Sequence, residues 1–223
     1  MDAQRLSVVV PALNEAQGIR AALEALAPLR ARGHVVIVAD GGSTDGTADL
    51  ARGLCDQVLV APRGRAVQMN AGARAATGDA LLFLHADTRL PLRAEEFVLA
   101  ALRQHLWGRF DVRIEGRHPL LGVVGCAMNL RSRATGIATG DQAIFVRRDV
   151  FKGFAEIALM EDIAFCRAMK RLGPPACLRE RVLTSGRRWE ARGVVRTIVL
   201  MWSLRFAYFL GVRPERLARF YEP

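Results

Sequence analysis

Residues 34–47 read HVVIVADGGSTDGT, an uncharged β-branched run that ends on Asp40 and passes straight into a glycine-rich turn. A run of this length bounded by glycines marks a short strand buried on both faces, and Gly41, Gly42 and Gly46 supply the backbone freedom that a tight exit from a sheet needs. Ser43 or Thr44 can cap the helix that follows. Upstream, Leu6 to Val10 is a first buried strand stopped by Pro11. Asn14 with Gln17 three residues on forms a capping box for a helix in which Ile19, Leu23 and Leu26 recur at helical spacing. Downstream, a third strand at Val58 to Val60, a helix over Ala66 to Ala76 and a central strand at Ala80 to Leu84 repeat the unit. This alternation predicts an α/β fold with a mostly parallel sheet, whose ligands collect outside the carboxyl ends of the strands. The loops after the first, second and fourth strands are therefore expected to share one crevice.

The second half is less regular. Trp107 to Ile114 alternates as an edge or antiparallel strand would, Leu120 to Leu130 reads as a helix, Ala143 to Val146 as a short strand, and Ile163 to Leu172 as a helix ended by Gly173-Pro174-Pro175. No repeat or Pro/Gly/Ser linker divides the 223 residues, and with 51% of them apolar one domain, 1–223, is expected around one core. The net charge of +10 favours acidic partners, phosphates among them. Nucleic acid is not favoured, because no aromatic-rich strand face or zinc-knuckle spacing accompanies the charge. Cys55, Cys126, Cys166 and Cys177 form no Cys-x-x-Cys pair, which argues against a zinc site or a disulfide framework. With no signal-peptide pattern at the start, a reducing cytoplasm is the expected setting.

Several carboxylates sit where chemistry could use them. Asp40 opens the glycine-rich turn, where it either meets a base, ribose or cation or simply organises the turn; Asp45 is read as a turn and cap residue. Asp87 closes the run LLFLHADT (81–88) and is the only carboxylate at that strand edge. One carboxylate completed by substrate phosphates and waters is the usual way Mn2+ or Mg2+ is held. His85 either assists or is a satisfied, partly buried histidine. Glu161-Asp162 precedes a helix, where acids cap the macrodipole or divide the tasks of positioning and proton transfer. Basic residues cluster at Arg63 and Arg65, at Arg147 and Arg148, and at Arg187-Arg188-Trp189; the last lies in a glycine-flanked stretch, 185–193, that reads as a flexible lid.

In this order the pieces resemble the family 2 glycosyltransferases of the GT-A fold: SVVVPALNEA (7–16), DGGSTDGT (40–47), LLFLHADT (81–88), GFAEIALMEDIAFCRAMKRLG (153–173) and SGRRW (185–189). The resemblance implies a Rossmann-like three-layer sandwich with a nucleotide-sugar-binding half at 1–90, an acceptor-side half at 91–192 and a C-terminal apolar helix and tail at 193–223. It implies that Pro11, Glu15, Asp40 and Arg65 line the nucleotide pocket, with Asp40 on the base. Asp87 would hold Mn2+ or Mg2+ on the diphosphate, Asp162 would act as general base supported by Glu161, and Arg188 and Trp189 would close over diphosphate and acceptor. His85 stands where the family's Asp-x-Asp metal motif has its first acid. Ser185 stands where processive members have Gln, which implies a non-processive enzyme. The ending, GVVRTIVLMWSLRFAYFLGVRPERLARFY, is similar to a small bacterial subgroup sometimes linked to arsenosugar biosynthesis.

The expectation is a metal-dependent, inverting transfer from a nucleotide diphosphate-sugar to a hydroxyl acceptor, with Asp162 taking the acceptor proton. A nucleotidyltransferase on a related sheet and a non-catalytic nucleotide-sugar-binding module are the rivals. A dinucleotide dehydrogenase is disfavoured because Pro-Ala-Leu-Asn-Glu replaces Gly-x-Gly-x-x-Gly after the first strand. The apolar segment from Thr197 to Val212 is shorter than the ~20 residues of a spanning helix and contains Arg205. Arg196 and Ser203 fall on one helical face and Arg205 nearly opposite, so the stripe is imperfect, and burial on the domain, a homodimer contact and peripheral contact with the inner membrane face are all compatible with it.

Overall fold

A computed structural model describes residues 4–221. Among these, eight strands form one sheet: β1 (Leu6–Ala12), β2 (Val35–Asp40), β3 (Gln57–Val60), β4 (Ala80–Phe83), β5 (Thr88–Arg89), β6 (Trp107–Glu115), β7 (Phe145–Arg147) and β8 (Ala176–Ser185), in the order β3-β2-β1-β4-β7-β6-β8-β5. The first-half strands β3, β2, β1 and β4 are parallel, as expected. In the second half β7 is antiparallel to β4 and to β6, while β6 and β8 run parallel. The helices are α1 (Ile19–Glu24), α2 (Ala27–Ala31), α3 (Thr47–Ala51), α4 (Arg65–Ala75), α5 (Ala94–Leu102), α6 (Leu120–Thr135), α7 (Glu161–Lys170), α8 (Arg187–Arg192), α9 (Val194–Phe209) and α10 (Pro214–Tyr221). This is a mixed α/β architecture around a single eight-stranded sheet, in line with the fold expected from the sequence.

The period-2 geometry of a strand separates two apolar layers. Val8, Val10, Val36, Val38 and Leu82 pack with Ile19, Leu23 and Val98, whereas Val9, Ile37, Leu81 and Phe83 pack with Met69, Phe154 and Phe165. Val8, Val9 and Val10 are all buried, each contributing roughly 1.5–3 kcal/mol relative to exposure, so β1 has no face that tolerates a charge. Helix α4 lies so close to β1 that a methyl group on Gly72 would fall on the Val9 side chain.

Three local readings are corrected. The Asn14–Gln17 capping box does not form: α1 starts after Gly18, and Asn14 is left-handed with φ 53°. Its Oδ1 accepts from the Thr44 N–H at 3.0 Å and its own N–H donates to Ser43 Oγ at 2.9 Å, so a partner loop has displaced the local cap. Neither Ser43 nor Thr44 caps α3; Asp45 does the work of a cap residue, accepting from the Thr47 N–H at 3.0 Å. The stretch 185–193 is not an open lid. It holds the end of β8 and helix α8, with the Gly186 N–H on the Glu115 carbonyl at 2.6 Å and Glu190 Oε1 accepting from the His118 N–H at 3.0 Å. Only Gly193, at φ 84°, separates α8 from α9.

Candidate active site

The loops that leave β1, β3 and β4 meet three later segments in one cleft of about 470 Å3. Its walls include Pro11 at the end of β1 and Glu15 after it, Arg63, Arg65 and Gln68 around the start of α4, His85 and Asp87 after β4, and Asp141, Glu161 and Asp162 from the second half. Arg188 and Trp189 of α8, and Thr197, Leu200 and Met201 of α9, close the remaining side. A larger hollow of about 800 Å3 lies at the opposite end of β4, against Asp79, Ala80, Arg103, Arg147 and Arg148, away from every strand carboxyl end of the parallel half. Arg147 is held there by Asp149 at 2.5 Å and Arg148 by the Ala76 carbonyl at 3.3 Å, which explains that basic cluster structurally.

The second-half acids reach the cleft through a clamped segment. Asn70 donates to the Phe154 carbonyl at 2.9 Å and accepts from its N–H at 2.8 Å, and Phe154 stacks among Phe83, Phe151 and Phe165. From that anchor the chain turns through Met160, left-handed at φ 71°, directly into Glu161 and Asp162. Ala143, next to the Gly140–Gln142 turn, and Asn14 are left-handed too. Non-glycine residues in this conformation carry about 1–3 kcal/mol of strain, and of these Met160 lines the cleft itself.

Asp162 Oδ2 accepts from the Gly140 N–H at 3.1 Å, and its Oδ1 from the Ile163 N–H at 2.7 Å. Burial, reinforced by the neighbouring Glu161 charge, raises its pKa to about 6 against the opposing pull of Arg65 and the two N–H donors. A carboxylate in that range is largely ionised near neutrality yet basic enough to take a proton. Glu161 is buried and ion-paired to Arg65 at 3.5 Å, so its charge is already answered.

Asp87 is half-buried at the cleft edge. His85 lines the same cleft: its Nδ1 faces Asp141 Oδ1 at 3.1 Å, and its buried Nε2, without a hydrogen-bond partner, lies under Gly140, where a methyl group would fall on the ring. Burial raises the Asp141 carboxyl, but the His85 hydrogen bond and the charges of Arg65 and Arg188 outweigh it and leave the pKa below the ordinary range. Among the described residues no cluster of three or more His, Cys, Asp or Glu groups stands ready for a metal. The donor set therefore fits a hard cation that arrives with phosphate and water ligands and takes one or two carboxylates from the protein.

Asp40 is the exception among the expected residues. It is buried, and its carboxylate accepts from the Gly42 and Ser43 N–H groups at 3.0 and 2.9 Å and from the Ser43 hydroxyl at 2.5 Å. Its register partner is Ala12, a cleft residue, so Asp40 stands behind the wall and shapes the loop. Conversely, Asp141 and Gln68 were not singled out from the sequence. Gln68 donates to the Ala12 and Ala39 carbonyls at 2.7 and 3.0 Å, tying α4 to the first two strand ends; a glutamine in a helix gives no such warning. For Asp141 the available signal was a glycine beside an acid just before a strand.

An open, largely parallel sheet with a charged cleft at its strand carboxyl ends defines an α/β protein of the nucleotide-handling kind. The match is narrower than that: the model of glycosyl transferase family 2 matches residues 7–120, about half the chain, and the protein belongs to this family. It is 50% identical over 54 residues to the succinoglycan biosynthesis protein ExoA of Rhizobium meliloti, a stretch covering 22% of this chain and 16% of that one. It is 35% identical over 97 residues to a PGL/p-HBAD biosynthesis glycosyltransferase of Mycobacterium bovis, covering 40% of this chain and 38% of the relative. The matches thus span well under half of either relative's length. The glucosyl-3-phosphoglycerate synthase of Mycobacterium tuberculosis, crystallised with Mn2+, UDP and glucosyl-3-phosphoglycerate, superposes with a TM-score of 0.58 at 19% identity, covering 82% of this chain and 71% of that one. None of these names carries the arsenosugar link suggested by the ending of the chain.

Proposed function

We propose that this protein transfers a hexosyl group from a nucleoside diphosphate-sugar to a hydroxyl acceptor by a single, inverting displacement, without processive elongation. The observation that supports this reading most directly is that Asp87, Asp162 and Arg188 line the same cleft, with the Asp162 carboxyl raised to about 6. In this reading residues 1–90 hold the donor, residues 91–192 face the acceptor, and Asp40 acts on the base indirectly by fixing the loop beside Ala12. Asp87 would hold Mn2+ or Mg2+ on the diphosphate, where the ion supplies charge neutralisation for the leaving group. Asp162 accepts the acceptor proton, and the Gly140 N–H keeps its carboxylate oriented. Arg188 exchanges Glu15 for the diphosphate as negative charge develops there, and Trp189 covers the sugar.

Replacing Asp162 with Asn separates chemistry from binding. Transfer should fall by about 10²–10⁴ while UDP binding in the presence of Mn2+ persists. Transfer by this variant at the wild-type rate would remove Asp162 from the mechanism. Metal-dependent donor binding by the wild type with neither transfer nor hydrolysis would favour the binding-module reading.

A further inference from the structure

Helix α9 is apolar on two opposite sides, and the fold uses one of them. Val194 and Leu204 are buried, and Leu200, Ala207 and Tyr208 pack with Met160, Ile163 and Leu217. The other side carries Val195, Val199, Trp202, Phe206, Phe209 and Leu210, a stripe at helical spacing in which Trp202, Phe206 and Phe209 are 67%, 64% and 74% exposed. At ~100° per residue, Arg196 and Arg205 fall on the two borders of this stripe, roughly a quarter-turn to either side of its centre. Taken against the bare face, the arrangement is therefore more regular than the sequence suggested, because the residues on the third side are accounted for by packing. No Asp or Glu occurs in α9, and exposed Arg213, Arg216 and Arg219 follow with Phe220, itself 71% exposed.

We propose that this face docks in the plane of an anionic membrane surface, with the aromatic side chains in the headgroup and upper acyl region and the flanking arginines on lipid phosphates. An aromatic stripe between two basic borders matches the layered chemistry of such a surface. A second copy of the chain is a poorer occupant: a two-fold contact through this stripe brings basic borders together with no acid in α9 to answer them, on a chain of net charge +10. No helix among the described residues is long and apolar enough to cross a membrane, so the contact is a peripheral one. Thr197, Leu200 and Met201 of the same helix line the cleft, and docking would hold the cleft beside the headgroup layer. The docking does not depend on the transfer chemistry and is measured without donor.

The test uses the full chain with phosphatidylcholine vesicles, alone or with phosphatidylglycerol added. Expected are co-sedimentation only with the anionic vesicles, loss of binding as salt is raised, and quenching of tryptophan fluorescence by brominated lipid that is absent in Trp202→Phe. Phe206→Ser and Phe209→Ser, both at exposed positions, should each weaken partitioning roughly tenfold, the scale of burying one such side chain. Circular dichroism melts identical to wild type would show that the variants fold. Absence of binding to the anionic vesicles, or binding that Phe206→Ser leaves unchanged, would overturn the proposal. So would a concentration-dependent dimer in sedimentation equilibrium that Phe206→Ser dissolves, since the face would then be occupied by another copy.

Discussion

Glu15 and Arg188, 173 positions apart in the chain, meet at 2.7 Å across the mouth of the cleft. Arg187 approaches the same carboxylate at 3.5 Å, so a largely buried acid of the first loop holds two exposed arginines of α8. Exposed partners make such a pair worth at most about 1 kcal/mol, weak enough for the proposed donor diphosphate to displace. Arg188→Ala is expected to lower kcat/KM by about 10²–10³, as loss of a transition-state donor does, with the melting temperature almost unchanged. Steady-state kinetics and thermal melts of one preparation check both halves.

The raised pKa of Asp162 gives the reaction a signed pH dependence. With ionised Asp162 as the proposed base, kcat/KM should rise with pH along a limb centred near the value of about 6. Glu161→Gln removes a repelling charge and should move that limb to lower pH; Arg65→Met removes an attracting one and should move it higher. A limb that stays put in both variants would point to a different titrating group.

Stability should respond to the same group in the opposite sense. The folded pKa of about 6 lies above the ordinary value of 3.8, so the native state binds the extra proton and its stability falls as pH rises between those values. Asp162→Asn should therefore melt higher than wild type above this window, by a few degrees, and show no such gain below it. Differential scanning calorimetry at the two ends separates the cases.

Divalent ions should bind in company. With one half-buried carboxylate at the β4 edge and no ready-made cluster among the described residues, MnCl2 alone should hardly move the melting temperature. Mn2+ with UDP at about 100 times its Kd should raise it by roughly 5–10 °C. Asp87→Ala should abolish the increment that Mn2+ adds to UDP.

Gly140 lies where two functions touch, over the His85 ring and on the Asp162 carboxylate. A methyl group there has to displace the imidazole, so Gly140→Ala is expected to destabilise the fold by about 1–3 kcal/mol and to slow transfer by disturbing the base. Melts and single-turnover rates measure the two effects separately.

The parts of this molecule that could be read from the chain are those written in one continuous run. The buried strands β1, β2 and β4 announce themselves because both faces are covered and nearly every residue is apolar, Ser7 and Asp40 at the strand ends excepted. Asp87 was singled out because it follows β4, Asp162 because it opens a helix and Arg188 because it lies in a basic cluster between glycines, and the fold places all three in one cleft. Strand β8 was not, since Arg179, Glu180 and Arg181 interrupt it and its pairing with β6 shifts register between Arg109 and Asp111. Asp111 answers both Arg109 and Arg133, an arrangement assembled from distant segments that no local pattern encodes. The role of Asp141 was hidden for the same reason: its partner His85 is 56 positions away.

Gly193 is the whole of the joint between the helix that carries Arg188 and the helix that carries Trp202. With one residue between the two rods there is no slack to take up, so the wall that α8 adds to the cleft and the aromatic row of α9 are set at their mutual angle by the dihedrals of a single glycine.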